Sequence, residues 1–298
     1  MKCLVTGGAG FIGSHLVDEL ISLGHEVIVI DNESAISNES FYWNPSAKNY
    51  INDVCDYNST KQLYEDVDYV FHLAAQARIQ PSINNPINTI NVNAVGTATV
   101  LQCALEANVK RVIYSSTSSI YGKNKTPNFE YQSADCLTAY SASKLAGENF
   151  CKVYNDTHEL ETVILRYFNV YGERQPLKGI YAPVIGLFIK QNKEAEPLTI
   201  VGDGEQKRDF TYVKDIVRAN ILAATKPIDK KFLGNVYNVG SGKNYSINQI
   251  ALSISSKIKF VPKRLGEANE TLSDTTKIKE VFGWEPKKSL IEWIGENK

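Results

Sequence analysis

The chain has 298 residues with 32 basic and 33 acidic side chains, and its hydrophobic content of 43% is that of a globular protein. A net charge of −1 gives no electrostatic footprint for nucleic acid or for an anionic membrane, so these partners are disfavoured as a main function. Five cysteines, an odd number without a C-x-x-C pair, indicate reduced thiols in a cytosolic protein. The composition leaves a small-molecule enzyme or a protein-binding module.

Strands and helices are predicted to alternate over the first half of the chain. Short apolar runs rich in β-branched residues predict strands, and longer stretches of helical pattern predict helices. The predicted strands are 3–6, 26–30, 68–73, 110–115 and 161–167, and the predicted helices are 11–23, 88–107 and 139–155. Apolar strands that alternate with helices are typical of a parallel sheet covered on both faces. We therefore predict an α/β fold with a doubly wound, Rossmann-type parallel sheet.

The pattern changes after about residue 171. Proline and glycine become frequent and the predicted strands shorten, as at 198–201 and 236–239. No internal repeat is present. We predict a Rossmann domain over residues 1–172 and a smaller α/β substrate lobe over residues 173–298.

A glycine turn joins the first predicted strand to the first predicted helix. Gly7, Gly10 and Gly13 follow one another at three-residue spacing, as a tight turn, a pyrophosphate contact and a close helix packing require. The next strand ends at Asp31, whose carboxylate can accept both hydroxyls of an adenosine ribose and would repel a 2′-phosphate. A glycine turn that serves packing alone is the alternative. In this strand–turn–helix context the pattern favours NAD binding, and NAD over NADP.

A phenol and an ammonium are predicted to share one helical face. Tyr140 and Lys144 lie at i and i+4, and a cation near a tyrosine favours the phenolate that acts as a general base. The strand that precedes this helix ends in a segment rich in hydroxyl side chains, over residues 114–122. Ligands of doubly wound sheets bind at such carboxyl ends, so this segment is predicted to face the same site. Taken alone, Tyr-x-x-x-Lys is common by chance.

The combination of motifs resembles the extended short-chain dehydrogenase/reductases. Within them it is most similar to the NAD-dependent nucleotide-sugar epimerases and dehydratases of the UDP-glucose 4-epimerase type. The resemblance is carried by Thr6–Gly13, His72–Ala75, Ser115–Gly122, Tyr140–Lys144, Leu165–Gly172, Gly202–Phe210 and Gly283–Pro286.

This resemblance implies a set of site residues. The cofactor residues would be Gly7, Gly10, Phe11 and Ile12 at the pyrophosphate, Asp31 and Asn32 at the adenosine ribose, Asp53 and Val54 at the adenine, and Leu73, Ala74, Ala75, Asn93, Ser115, Tyr140, Lys144 and Tyr167 along the rest of NAD. Thr117, Tyr140 and Lys144 would be catalytic, and Thr117, Asn169, Arg208, Arg264 and Thr271 would bind the nucleotide sugar. No metal is implied.

The strand end bears on the reaction. In this family, dehydratases carry Thr-Asp-Glu there, and decarboxylases carry a Glu two residues after the catalytic hydroxyl. Thr117, Ser118 and Ser119 place no carboxylate at either position. The resemblance therefore implies 4-epimerisation of a UDP-hexose through a transient 4-keto sugar. A reductase, decarboxylase or dehydratase of the same family stays open, as does a non-catalytic NAD-binding regulator.

Two further expectations follow from the resemblance. Thr271 matches a position beside the sugar where a tyrosine restricts the pocket, so its small side chain predicts that N-acetylated hexoses are also accepted. A loop threonine without a sugar contact is the alternative reading. The helices predicted at 88–107 and 139–155 match those that form a homodimer in this family. The sequence leaves the nucleotide, uridine, guanosine or thymidine, undecided.

Overall fold

The computed structural model describes residues 1–35, 38, 40–177, 182–263 and 266–298. The strands are β1 (Lys2–Thr6), β2 (Glu26–Asp31), β3 (Lys48–Ile51), β4 (Tyr69–His72), β5 (Arg111–Thr117), β6 (Glu161–Tyr167), β7 (Val170–Tyr171), β8 (Leu198–Val201), β9 (Lys207–Asp209), β10 (Thr211–Tyr212), β11 (Asn235–Val239), β12 (Asn244–Ser246) and β13 (Ile258–Val261). The helices are α1 (Phe11–Ser22), α2 (Tyr57–Thr60), α3 (Ile79–Asn84), α4 (Pro86–Ile90), α5 (Gly96–Glu106), α6 (Ala139–His158), α7 (Val184–Lys193), α8 (Val213–Thr225), α9 (Ile247–Ile254), α10 (Thr276–Phe282) and α11 (Leu290–Asn297).

Within the described ranges, seven strands form a parallel sheet in the order β11-β6-β5-β4-β1-β2-β3. The order reverses between β1 and β4, because the chain builds outward from β1 in both directions. Ligands of such sheets bind in the crevice at the carboxyl ends of the strands where this reversal occurs. The predicted α/β, doubly wound fold is confirmed.

The sheet is covered on both faces because its strands are apolar on both sides. Along β1, Cys3 and Val5 belong to the core beneath α1, α8 and α10, whereas Leu4 belongs to the core beneath α5 and α6. Successive side chains of a strand point to opposite faces, so one apolar run supplies both cores.

The C-terminal half contributes to the sheet as well as to a layer of its own. A third apolar core joins α7, α9 and α11 to β8. By contrast, β11 extends the sheet beside β6, and α8 packs beside α1 on one of its faces. The chain therefore returns to the sheet after residue 172, and the division into 1–172 and 173–298 stays a prediction.

The two long predicted helices are present, with one difference. The stretch predicted at 88–107 consists of α4, a π-helical turn over Asn91–Val95, and α5. The helix predicted at 139–155 is α6, which begins at Ala139 because the Thr138 hydroxyl accepts the backbone N–H of Ser141 at 3.3 Å. In the parts of the chain that the structure describes, no helix has the length and apolar character needed to cross a membrane.

Candidate active site

A cavity of about 820 Å³ opens at the carboxyl ends of the strands, between the sheet and the C-terminal half. Its volume lies in the range of sites that hold small molecules. The predicted site residues that line it are Gly7, Gly10, Phe11, Ile12, Asp31, Asn32, Val54, Leu73, Ala74, Ala75, Ser115, Thr117, Tyr140, Lys144, Tyr167, Asn169, Arg208 and Thr271. The fold therefore gathers most of the sequence-predicted residues at one place.

The glycine turn forms one end of the cavity and is closely packed. Gly7 has a φ of 69°, and a Cβ there would lie 2.7 Å from the backbone nitrogen of Ala74. A Cβ on Gly13 would collide with the carbonyl oxygen of Gly7 and lie 2.8 Å from the Cα of Gly8. Gly10 precedes α1 and lines the cavity, so a Cβ there would take space in front of the helix N-terminus. The turn thus offers backbone N–H groups to an anion.

The acid at the end of β2 is held by the same turn. Asp31 accepts backbone hydrogen bonds from Ala9 at 3.1 Å and from Glu33 at 2.9 Å. Burial raises the pKa of its carboxyl, and these hydrogen bonds oppose the shift. The amide of Asn32 donates to Asp53 at 3.0 Å. Asp53 is outside the set of cavity-lining residues, although Asn52 and Val54 on either side of it line the cavity, and its contact with adenine stays a prediction.

Thr117 and Tyr140, both predicted to be catalytic, line the same part of the cavity. Thr117 is the last residue of β5, and its hydroxyl donates to the Ser119 hydroxyl at 3.0 Å. Burial raises the pKa of the Tyr140 hydroxyl, while a hydrogen bond with Thr117 and the charge of Arg78 lower it. The cation that acts on Tyr140 is therefore Arg78, a residue to which the sequence analysis assigned no role.

Lys144 lies deeper than the sequence spacing suggested. Its ammonium nitrogen is 4.1 Å from the centroid of the Tyr114 ring, and its side chain is buried. Burial lowers its pKa to about 7, and the neighbouring Cys151 and Glu148 oppose this shift. Near neutral pH the side chain is thus poised between the neutral and charged forms.

Two predicted cofactor residues on neighbouring strands, Ser115 at the end of β5 and Tyr167 at the end of β6, contact each other through their hydroxyl groups. The hydroxyls of Ser115 and Tyr167 are 2.9 Å apart, and Tyr167 also contacts Asn220 at 2.9 Å. Asn93, predicted near the cofactor, is fully buried outside the cavity lining. Its side chain accepts the N–H of Gln76 at 2.8 Å and donates to Ser143 at 3.0 Å, so it positions the loop after β4 against α6.

The predicted substrate residues form the opposite end. The Asn169 amide donates to the backbone oxygen of Asp209 at 2.8 Å and to the Thr271 hydroxyl at 3.4 Å. Arg208 lies 3.5 Å from a carboxylate oxygen of Glu267, and burial lowers the pKa of its guanidinium. Arg264, the second arginine predicted at the diphosphate, lies outside the described residues.

Charged groups beneath the site were missed from the sequence. Arg166 of β6 pairs with Glu148 of α6 at 2.7 and 2.8 Å, and Ser116 donates to the same carboxylate at 2.5 Å. Asp209 is buried and accepts hydrogen bonds from the backbone N–H and the hydroxyl of both Ser241 and Ser273. A charged residue within an otherwise apolar strand indicates that a buried partner of opposite charge is present. Arg166 is such a residue in the sequence of β6. These groups hold the loops that present the cavity residues.

The profile of the NAD dependent epimerase/dehydratase family matches residues 3–240. The chain belongs to this family. Its cofactor is NAD, and the residues fit it: the turn has glycine where a Cβ would fill the cradle before α1, and Asp31 lies at the end of β2. In the described ranges, no group of three or more His, Cys, Asp or Glu side chains is arranged to hold a metal ion.

Relatives and solved structures resemble the chain over its whole length. A UDP-glucose 4-epimerase of Thermotoga maritima, solved with UDP-glucose, is 35% identical with a TM-score of 0.93, covering 100% of this chain and 97% of that one. A UDP-N-acetylglucosamine 4-epimerase of Methanobrevibacter ruminantium, solved with UDP-N-acetylmuramic acid, is 34% identical with a TM-score of 0.91, covering 99% and 96%. A UDP-N-acetyl-α-D-glucosaminuronate decarboxylase of Bacillus cytotoxicus is 36% identical, covering 99% of this chain and 98% of its own length.

Proposed function

We propose that the protein catalyses NAD-dependent 4-epimerisation of a UDP-hexose. The observation that carries the proposal is the catalytic end of the cavity, where Thr117 and Tyr140 meet without a carboxylate. Among the described cavity residues the carboxylates are Asp31, which is held by the glycine turn, and Glu267, which pairs with Arg208. Elimination of water needs an acid and a base at the sugar, whereas oxidation and reduction of one hydroxyl needs a single base.

The side chains can carry out the proton transfers of this reaction. Tyr140, as phenolate, takes the proton of the sugar 4-hydroxyl and returns it in the second half of the reaction. Thr117 hydrogen-bonds the same sugar oxygen, and Lys144 and Arg78 supply positive charge near the base. NAD, when bound, supplies the reversible oxidation and reduction at C4. Arg208 holds the diphosphate while the 4-keto sugar presents its other face, so C4 is inverted without net redox change.

The assignment is tested by product analysis without added cofactor. The protein as purified is incubated with UDP-glucose, UDP-galactose and the two UDP-N-acetylhexosamines, and the products are identified by NMR. We expect interconversion at C4 and a loss of about 10²–10⁴-fold in Tyr140→Phe, the usual contribution of acid–base catalysis. Because burial raises the pKa of Tyr140, wild-type activity should rise with pH on the acidic limb. Loss of water would identify a dehydratase instead, net reduction of the sugar when NADH is supplied would identify a reductase, and release of CO₂ from UDP-glucuronate would identify a decarboxylase.

We further propose that Thr271 leaves room for an N-acetyl group. Its side chain is small and lines the cavity, and its hydroxyl accepts hydrogen bonds from Asn169 and from the backbone of Asp209. Thr271→Tyr should abolish activity on UDP-N-acetylhexosamines and spare UDP-glucose. Thr271→Val is the matched control, because it removes the hydroxyl at nearly constant volume. If Thr271→Val and Thr271→Tyr affect both sugars equally, the hydroxyl positions Asn169 and no gate exists.

A homodimer is the proposed assembly. Ile87, Val95 and Val153 are 76%, 49% and 50% exposed, on the helical stretch from α4 to α5 and on the neighbouring α6. Apolar side chains exposed on two packed helices fit a self-complementary, two-fold contact. Light scattering should give twice the chain mass for the wild type and the chain mass for Ile87→Glu. An unchanged mass would place the interface elsewhere.

A further inference from the structure

Arg78 is a charged residue of the cavity whose guanidinium can contact a ligand as well as lower the pKa of Tyr140. It lies immediately before α3, at the end of the loop that follows β4, and it lines the cavity. The helix α3 packs against α6, which carries Tyr140, and the positive charge of Arg78 lowers the pKa of the Tyr140 hydroxyl. Partial burial lowers the pKa of Arg78 itself, and its side chain keeps some contact with solvent.

The guanidinium has no carboxylate partner in the described part of the chain. In those ranges each other arginine lies within 4.0 Å of a carboxylate. These residues are Arg111, Arg166, Arg174, Arg208 and Arg218. A partly desolvated charge without a counter-charge is unfavourable, and a ligand anion would supply the missing partner.

The C-terminal half closes over this part of the cavity. A Cβ on Gly266 would lie 2.8 Å from the Thr138 methyl group and 3.5 Å from the Ile79 side chain. Gly266 thus packs against the starts of α3 and α6. The residues that it contacts there, Ile79 and Thr138, lie one and two residues from Arg78 and Tyr140 in the chain. A ligand anion that reaches Arg78 would be enclosed, where charge-assisted hydrogen bonds are strongest.

The anion is distinct from the diphosphate assigned to Arg208. The described carboxylates that line the cavity are engaged elsewhere, Asp31 at the glycine turn and Glu267 at Arg208. Lys144 has Glu148 as an acidic neighbour, so Arg78 is the cavity cation that is left without a described acidic partner. We propose that Arg78 binds a carboxylate on the sugar, which makes a nucleotide-diphosphate hexuronate the preferred substrate class. This inference rests on the proposed function, which places the sugar beside Tyr140.

Binding measurements test the assignment independently of turnover. UDP, UDP-glucose and UDP-glucuronate are titrated calorimetrically into the NAD-loaded wild type, Arg78→Met and Arg78→Lys. We expect the wild type to bind UDP-glucuronate more tightly than UDP-glucose, and Arg78→Met to lose about 10- to 100-fold for UDP-glucuronate alone. Arg78→Lys, which keeps the charge without the planar donor pair, should lose less. Arg218→Met is the control, since Arg218 pairs with Asp215 outside the cavity.

Three outcomes would overturn the inference. If Arg78→Met lost as much affinity for UDP as for UDP-glucuronate, Arg78 would be assigned to the diphosphate. Unchanged affinities in Arg78→Met, with NAD content and thermal unfolding as in the wild type, would remove any ligand contact. An equal loss of affinity for UDP-glucuronate in Arg218→Met would reduce the effect to net charge.

Failure of the proposed 4-epimerisation is recognised separately. A hexuronate oxidised at C4 is a β-keto acid, which can lose CO₂. A pentose product would therefore identify a decarboxylase, while the preference of Arg78 for the carboxylate would still hold.

Discussion

Two alanine substitutions in the glycine turn should have different effects. Gly13→Ala should disturb the packing of the turn, whereas Gly10→Ala should weaken the binding of NAD. A Cβ on Gly13 would lie 2.8 Å from the Cα of Gly8 and collide with the Gly7 carbonyl oxygen. Carbon atoms in contact are ordinarily about 3.5–4.0 Å apart, so α1 would have to shift by roughly 1 Å. Such overpacking costs about 1–3 kcal/mol, which corresponds to about 2–4 °C in Tm for each kcal/mol.

Gly10 differs from Gly13 because its surroundings are open. The nearest atom to a Cβ there is the Gly7 carbonyl oxygen at 3.3 Å, and the φ of −77° suits any residue. Gly10→Ala should therefore leave the Tm of the NAD-free protein within about 2 °C of the wild type and weaken NAD binding about tenfold or more, because the added methyl group faces the cofactor.

Both variants are compared with the wild type by thermal unfolding and by titration with NAD. Gly295→Ala is the matched control, since a Cβ there meets no atom within 4 Å and alanine is the better helix former, by about 1 kcal/mol. A Gly13→Ala protein with wild-type Tm would refute the close packing of the turn. A Gly10→Ala protein as unstable as Gly13→Ala would show that Gly10 also serves packing.

Further predictions concern the charges beneath the site. Arg166→Met should lower the free energy of unfolding in urea by about 3–5 kcal/mol, because it leaves the buried Glu148 unpaired. Glu26→Gln is the control: it breaks the exposed ion pair with Lys48 and should change the free energy of unfolding little. Lys144→Met should raise the free energy of unfolding by about 1 kcal/mol or more, and by more at pH 6 than at pH 9. The sign follows because the pKa of Lys144 falls to about 7 on folding, so between about pH 7 and its unfolded pKa the unfolded chain binds more protons and stability rises with pH. Equal gains at both pH values would contradict this.

Local patterns in the sequence were sufficient for the sheet and for the residues at its carboxyl ends. The apolar runs at β1 and β5 and the spacing of Gly7, Gly10 and Gly13 are short-range features that can be recognised within one strand–turn–helix unit. The parallel order then brings the ends of β1, β2, β4 and β5 to one crevice.

Longer-range features were decided by packing. Asn93 lies in the π-helical turn at Asn91–Val95 and forms hydrogen bonds with both Gln76 and Ser143. No periodicity in the sequence predicts this turn. The exposed Asp53 accepts a hydrogen bond from the Asn32 amide, a contact between the loop after β3 and the end of β2, and its place at the adenine stays a prediction. Each of these contacts joins segments far apart in the chain.

The family and the cofactor could be predicted from the sequence, and so could the shared helical face of Tyr140 and Lys144, because these depend on residue identity and short spacing. The tertiary structure decided the electrostatics of the pair. It buried Lys144 over Tyr114 and brought Arg78, from a different loop, close enough to act on the Tyr140 hydroxyl. Burial and the distance between charges arise only when separate elements pack, and they set the pKa values on which the chemistry depends.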